Sequence, residues 1–204
     1  KYEGAYVGEP QRGFQKNIIS FDANSLYPSV MVTLNLSPET KVGSIIGTDK
    51  DKVYVKTVND KHIEMTYKDF RKWCDVNEIA ITRAKKLFSQ KAKGIFPRIT
   101  DHFYDIRRGK KEEWNVEREN LHQLTLALEK ETDPIAQEKI KEEMKLTKYK
   151  IDQLWIWQFT LKILINRIYG YFGNKISQMG DGDIARSITL TGRDVIKQSN
   201  VILR

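Results

Sequence analysis

From about Arg98 to Phe172 the chain is one long run of charged helical sequence, interrupted only by Thr132-Asp133-Pro134. No other feature constrains the fold as strongly. Proline cannot continue a helix and restricts the residue before it, so Asp-Pro marks a turn. Ahead of the turn, Ile99, Phe103, Ile106, Leu121, Leu124 and Leu128 fall at spacings compatible with one helical stripe. Behind it, Ile140, Met144, Ile151, Leu154, Trp155 and Phe159 do the same. Two long antiparallel helices joined at a tip near 131–134 are implied. The stripe does not read as a sustained heptad, which weighs against a purely structural coiled coil.

The flanks differ in kind. Asn17 to Phe21 is short, apolar and partly β-branched, as a buried strand would be, and it delivers Asp22 at its C-terminal end. Residues 41 to 70 mix Val, Tyr, Ile and Thr with glycines and polar clusters, the pattern of short strands joined by turns. Ile184 to Leu203 carries Ile188, Val195, Ile196 and Ile202 and reads as a last helix. The expected fold is α+β, divided into residues 1–97, 98–173 and 174–204.

With 204 residues, 40% of them hydrophobic, the chain can bury one core or two small ones. Lys and Arg outnumber Asp and Glu by 35 to 27, giving +8 and a pI near 9.4, which favours a polyanionic partner such as nucleic acid or nucleotide phosphate. The lone Cys74 forms no internal disulfide and has no metal-ligand spacing around it, in keeping with a reducing, cytosolic setting. No apolar run approaches the roughly 20 residues that span a bilayer, and no signal pattern opens the chain, so no membrane is expected. The start at Lys1, without a Met, suggests a segment of something longer.

The most specific stretch is Ser20-Phe21-Asp22-Ala23-Asn24-Ser25-Leu26-Tyr27-Pro28-Ser29. A carboxylate at the end of a buried strand, followed at once by a turn, can hold Mg²⁺ beside backbone amides that meet phosphate. An aspartate there can also simply cap the turn. In the second half, Lys162, Asn166, Tyr169 and Gly173 fall at i, i+4, i+7 and i+11, one polar helix face, opposite an apolar face of Ile163, Leu164 and Ile168. Arg107 lies 27 residues before Pro134 and Lys162 lies 28 after it, so in an antiparallel hairpin the two cations come level and can converge on one triphosphate.

Asp-x-x-Ser-Leu-Tyr-Pro-Ser resembles motif A of the family B DNA polymerases, and Lys162-Ile163-Leu164-Ile165-Asn166-Arg167-Ile168-Tyr169-Gly170 resembles their motif B. Tyr2-Glu3-Gly4-Ala5 is similar to the short segment joining exonuclease and polymerase regions, and Leu36 to Thr40 resembles T-even-phage polymerases in particular. The resemblance implies a partial palm with a strand-rich insert in 1–97, a fingers hairpin in 98–173 and a return into the palm in 174–204. It implies that Asp22 and the Ala23 carbonyl are ligands of catalytic Mg²⁺, with Asp22 and Lys162 the catalytic residues. The Ser25 and Leu26 amides would contact the triphosphate, and Tyr27 would lie under the deoxyribose and exclude ribonucleotides. Arg107, Lys111, Lys162 and Asn166 would bind the nucleotide, Tyr169 and Gly170 the nascent base pair, and Tyr2 and Gly4 the template strand.

Two-metal phosphoryl transfer needs carboxylates on both sides of the metal pair. Only Asp22 is in sight. Gly180-Asp181-Gly182-Asp183 superficially resembles motif C, but it lacks an apolar strand before it, and Asp181 or Asp183 is better read as the cap of the last helix. The implied enzyme therefore draws its exonuclease, motif C and thumb from outside these 204 residues, and this stretch alone would not extend a primer. Its implied partners are primer–template DNA, deoxynucleoside triphosphates and a sliding clamp, in the cytoplasm of a phage-infected bacterium. His62, His102 and His122 receive no role. The rival reading is a non-catalytic basic helical hairpin that binds nucleic acid through phosphate contacts; it leaves Asp22, Tyr27 and the aligned Lys162 and Asn166 without a reason.

Overall fold

A computed structural model describes every residue except 1–3, 5, 10, 11, 15, 17, 19–21, 24, 175, 203 and 204. The strand expected at 17–21 lies outside the described residues save for Ile18. The architecture is mixed α+β, with helices α1 (Leu26–Thr33), α2 (Tyr67–Val76), α3 (Ile95–Lys130), α4 (Pro134–Gly173) and α5 (Gly182–Ile202). Strands β1 (Lys41–Asp49), β2 (Lys52–Thr57), β3 (His62–Thr66), β4 (Ile79–Ile81) and β5 (Lys86–Ser89) form one antiparallel sheet in the order β3-β2-β1-β5-β4.

The strand-rich insert is therefore larger than 41–70. It takes in α2, whose Thr66 hydroxyl caps the helix by accepting from the Asp69 N–H. Phe70 and Cys74, four residues apart on one helix face, pack on Val53, Val55 and Leu87 to close a small core over the sheet. Gly43 is required where β1 passes β2: a Cβ there would lie 2.4 Å from the Lys56 carbonyl oxygen.

The chain divides into two compact units, residues 101–165 and the remainder, 1–100 with 166–204. In the second of these a separate core joins Val30, Met31 and Leu36 to Phe88, Phe172, Ile184, Ala185 and Ile188. Each of these side chains other than Ala185 contributes roughly 1.5–3 kcal/mol when fully buried. A buried polar knot fixes the corner after α1. Asn35, at φ 51, donates to the carbonyls of Ser89 at 2.6 Å and Ala92 at 2.8 Å, while its own side-chain oxygen accepts from the Gly94 N–H at 2.8 Å. One turn on, the Glu39 carboxylate accepts from the Ile95 N–H, so a residue far away in sequence caps the start of α3. Burial works to raise the Glu39 carboxyl, but the hydrogen bonds from Ile95 and Ser37 and the charge of Arg98 outweigh it and hold the group below its ordinary value.

The 101–165 unit is the middle of the helical hairpin. Near its tip the Gln137 amide donates to the Glu131 carbonyl at 2.8 Å, and further along Lys150 pairs with Glu117. Buried and half-buried positions on α4 here run Thr147, Ile151, Leu154, Gln158, Leu161 and Ile165, and those on α3 include Arg107, Lys110, Trp114, Glu117, Leu121, Leu124 and Leu128 beside Ile106, Gly109, Thr125 and Leu126. That alternation of four and three is the heptad period that hydropathy did not display. It was hidden because Thr, Gln, Arg, Lys and Glu occupy seam positions.

Three further expectations change. Trp155 and Phe159, placed in the buried stripe, are 46% and 40% exposed and stack on each other at 5.0 Å. The buried face near the end of α4 is Leu161, Ile165 and Phe172, not Ile163 and Leu164. On α5 the covered residues are Ile184, Ala185, Ser187, Ile188, Thr189 and Gly192, whereas Ile202 is exposed. None of the described helices is long and apolar enough to cross a membrane.

Candidate active site

Two groups of the singled-out residues fall in different compact units, and each group has its own geometry. In the first, Asp22 and Ala23 are exposed and precede Ser25, which adopts a left-handed conformation (φ 51, ψ 48) at the head of α1. A left-handed residue followed by helical ones turns successive amides to one side, the concave arrangement that meets anions. Pro28 has no N–H, and the Ser29 N–H bonds the Ser25 carbonyl at 2.9 Å, closing the first turn of the helix. A non-glycine left-handed residue is strained, and such strain collects at ligand sites.

Tyr27, half-buried, meets Tyr169 near the end of α4 with ring centroids 4.8 Å apart and planes at 50°. Both rings pack on the core made by Met31, Phe172 and Ile188. Two tyrosines singled out 142 positions apart in the chain thus form one aromatic pair. Asn166 is exposed on the same helix, and Gly170 is open, with nothing within 4 Å of an added Cβ. The Gly4 carbonyl accepts from Arg193 at 3.3 Å, and Lys197, one turn on, lies 5.3 Å from the Tyr6 ring, so the described part of the N-terminal segment meets α5. Tyr2 lies outside the described residues.

In the second group, Arg107 is half-buried in the hairpin seam, with its Nε shut off from solvent and without a hydrogen-bond partner. Lys111 and Lys162 are exposed. Their neighbours Arg108 and Lys110 are taken up locally, by Asp105 at 3.1 Å and Glu113 at 2.8 Å. The contacts of Glu117 with Lys150 and of Glu131 with Gln137 set a register in which Arg107 comes level with residues 160–161, next to Lys162.

Asp181 and Asp183 are structural. Asp181 accepts from the Asp183 N–H at 2.8 Å and the Ile184 N–H at 3.3 Å, the cap of α5. Lys41 reaches Asp181 at 3.1 Å and Asp183 at 2.7 Å, and Lys86 reaches Asp183 at 3.0 Å. Burial alone would raise the Asp183 carboxyl, yet the two lysines hold it below its ordinary value; burial would lower Lys41, yet the two aspartates raise it. The lysine partners, 97 to 142 residues away, gave no sequence signal. Gly192 was also missed: it lies directly against Tyr27, and its signal, a glycine within a helical pattern, was there to be read. The three histidines are exposed, and burial pushes the Cys74 thiol above its ordinary value. Among the described residues no three His, Cys, Asp or Glu side chains gather as a metal cluster.

The family model described as DNA polymerase family B matches residues 1–130 and 135–204. The chain is similar to the DNA polymerase of Orf virus, 28% identical over 198 residues (96% of this chain, 17% of that protein). It is similar also to the DNA polymerase of Archaeoglobus fulgidus, 31% identical over 198 residues (97% and 18%). The DNA polymerase delta catalytic subunit of Candida albicans is 28% identical over 204 residues (98% and 15%). The chain thus spans less than a fifth of the length of these relatives.

Proposed function

The chain belongs to DNA polymerase family B, and we propose that it serves a DNA-templated DNA polymerase as the part that receives the incoming deoxynucleoside triphosphate. The observation that carries this reading is the pairing of Tyr27 with Tyr169 at 4.8 Å, which joins the motif A and motif B signatures on one core. Residues 98–173 act as the fingers, and 1–97 with 174–204 belong to the palm. Exonuclease, motif C and thumb come from the remainder of the enzyme.

Asp22 and the Ala23 carbonyl are oxygen donors of the kind Mg²⁺ takes, and Asp22 is exposed, so the donor chemistry fits, with further carboxylates required from elsewhere. Bound there, Mg²⁺ would supply charge for activating the primer hydroxyl and for the leaving pyrophosphate. The chain's own residues bind and orient. The Ser25 and Leu26 amides, turned by the left-handed Ser25, hold phosphate oxygens; Arg107, Lys111 and Lys162 supply cations to the triphosphate, and Asn166 adds a polar contact. Tyr27 lies under the sugar, where a 2′-hydroxyl has no room, while Tyr169 and Gly170 follow the minor groove of the new base pair. Tyr2 and Gly4 track the template.

The T-even-phage likeness of Leu36 to Thr40, a sliding clamp as partner and the cytoplasm of an infected bacterium as setting belong to the same proposal. Its test is sugar selection: in the full-length polymerase, Tyr27→Ala should lower the preference for deoxy- over ribonucleotide by about tenfold or more. Unchanged preference would return Tyr27 to core packing alone.

A further inference from the structure

Glycine inside a helix costs about 1 kcal/mol relative to alanine, so a buried helical glycine calls for a packing reason. Gly192 is buried in the middle of α5. A Cβ added there would lie 2.8 Å from Tyr27 Cε1, 3.2 Å from Tyr27 Cδ1 and 3.5 Å from Leu26 Cδ2. Carbon atoms in contact settle at about 3.5–4.0 Å, so the ring would have to retreat from α5 by roughly 0.5–1 Å. Little slack exists to absorb this, because the ring packs on a core whose Met31, Ile184 and Ile188 are fully buried and also contacts Tyr169. The nearest atoms that need Gly192 to lack a side chain belong to the residue at the sugar-facing position and its neighbour.

We propose that Gly192 is a positioning residue that sets how deeply the Tyr27 ring seats against α5, and thereby how much room is left for the sugar of the incoming nucleotide. The inference rests on the reading that Tyr27 lies under the deoxyribose. A methyl group behind the ring moves it off α5 and into the sugar's space. Removal of the ring opens the same space, so the two changes act in opposite directions.

The test uses the full-length polymerase as wild type, Gly192→Ala, Tyr27→Ala and the double variant. Its readouts are kcat and KM for a deoxynucleotide and its ribonucleotide on one primer–template, and the thermal midpoint. Gly192→Ala should raise the deoxynucleotide KM about tenfold, with a smaller change in kcat and no loss of sugar preference. Tyr27→Ala should lower that preference, and adding Gly192→Ala to it should change neither parameter by more than about twofold. If Tyr27→Ala leaves sugar preference untouched, the sugar-facing reading fails and the inference with it. If Tyr27→Ala behaves as expected but Gly192→Ala leaves KM at its wild-type value, or acts equally strongly without the ring, the positioning role is overturned and the reading of Tyr27 stands. Should Gly192→Ala fail to fold, the double variant decides: recovery of the Tyr27→Ala thermal midpoint supports the clash, and no recovery overturns it.

Discussion

Lys150 of α4 is ion-paired with Glu117 of α3, residues that stand 16 positions after and 17 before Pro134. The near-equality fixes the hairpin register, and ten residues further from the tip it brings Arg107 level with residues 160–161, beside Lys162. A charge-assisted contact is worth about 1.5–3 kcal/mol, so Arg107→Ala or Lys162→Ala in the full-length polymerase should each weaken nucleotide use by roughly ten- to a hundredfold. If both act on one triphosphate, the double variant should depart from the sum of the single effects. Additive losses in kcat/KM would assign the two cations to separate ligands.

Asn35 should be the most sensitive polar position of the corner after α1. Asn35→Gly keeps the left-handed backbone but deletes three side-chain hydrogen bonds, to Ser89, Ala92 and Gly94, and should cost about 2–4 kcal/mol of stability. Asn35→Ala should cost roughly 1 kcal/mol more, since alanine is strained at φ 51. Denaturant unfolding curves that rank alanine above glycine would contradict the backbone part of this account.

The Lys41–Asp181–Asp183–Lys86 cluster predicts how stability depends on pH. The Asp183 carboxyl lies below its ordinary 3.8 when folded, so its contribution is complete above that value and is lost as pH falls through the depressed one. Lys41 lies above its ordinary 10.5, so its contribution is complete below that value and is lost as pH rises through the raised one. Lys41→Met should therefore destabilise by about 2 kcal/mol near neutrality and flatten both limbs of the stability profile. A variant with an unaltered alkaline limb would show that the Lys41 pairing contributes little.

What could be read from the sequence was what is local. The Asp133-Pro134 break and the Asp181 cap are each set within a few residues, so the two long helices and the start of α5 were visible. The Asn35 knot, the lysines facing Asp183 and the fit of Gly192 to Tyr27 join positions 54 to 165 apart, and no local pattern encodes them. The heptad seam escaped for a different reason: Arg107, Lys110, Glu117, Thr147 and Gln158 occupy it, and a hydrophobic stripe is blind to polar seam residues.

Primer extension by the full-length polymerase carrying Asp22→Ala tests the central claim most directly. With Asp22 as a carboxylate of the catalytic site, templated incorporation should fall by about a thousandfold or more, while the thermal midpoint and primer–template affinity stay near wild type, because Asp22 is exposed. Incorporation within about tenfold of wild type would contradict the assignment of Asp22 to catalysis.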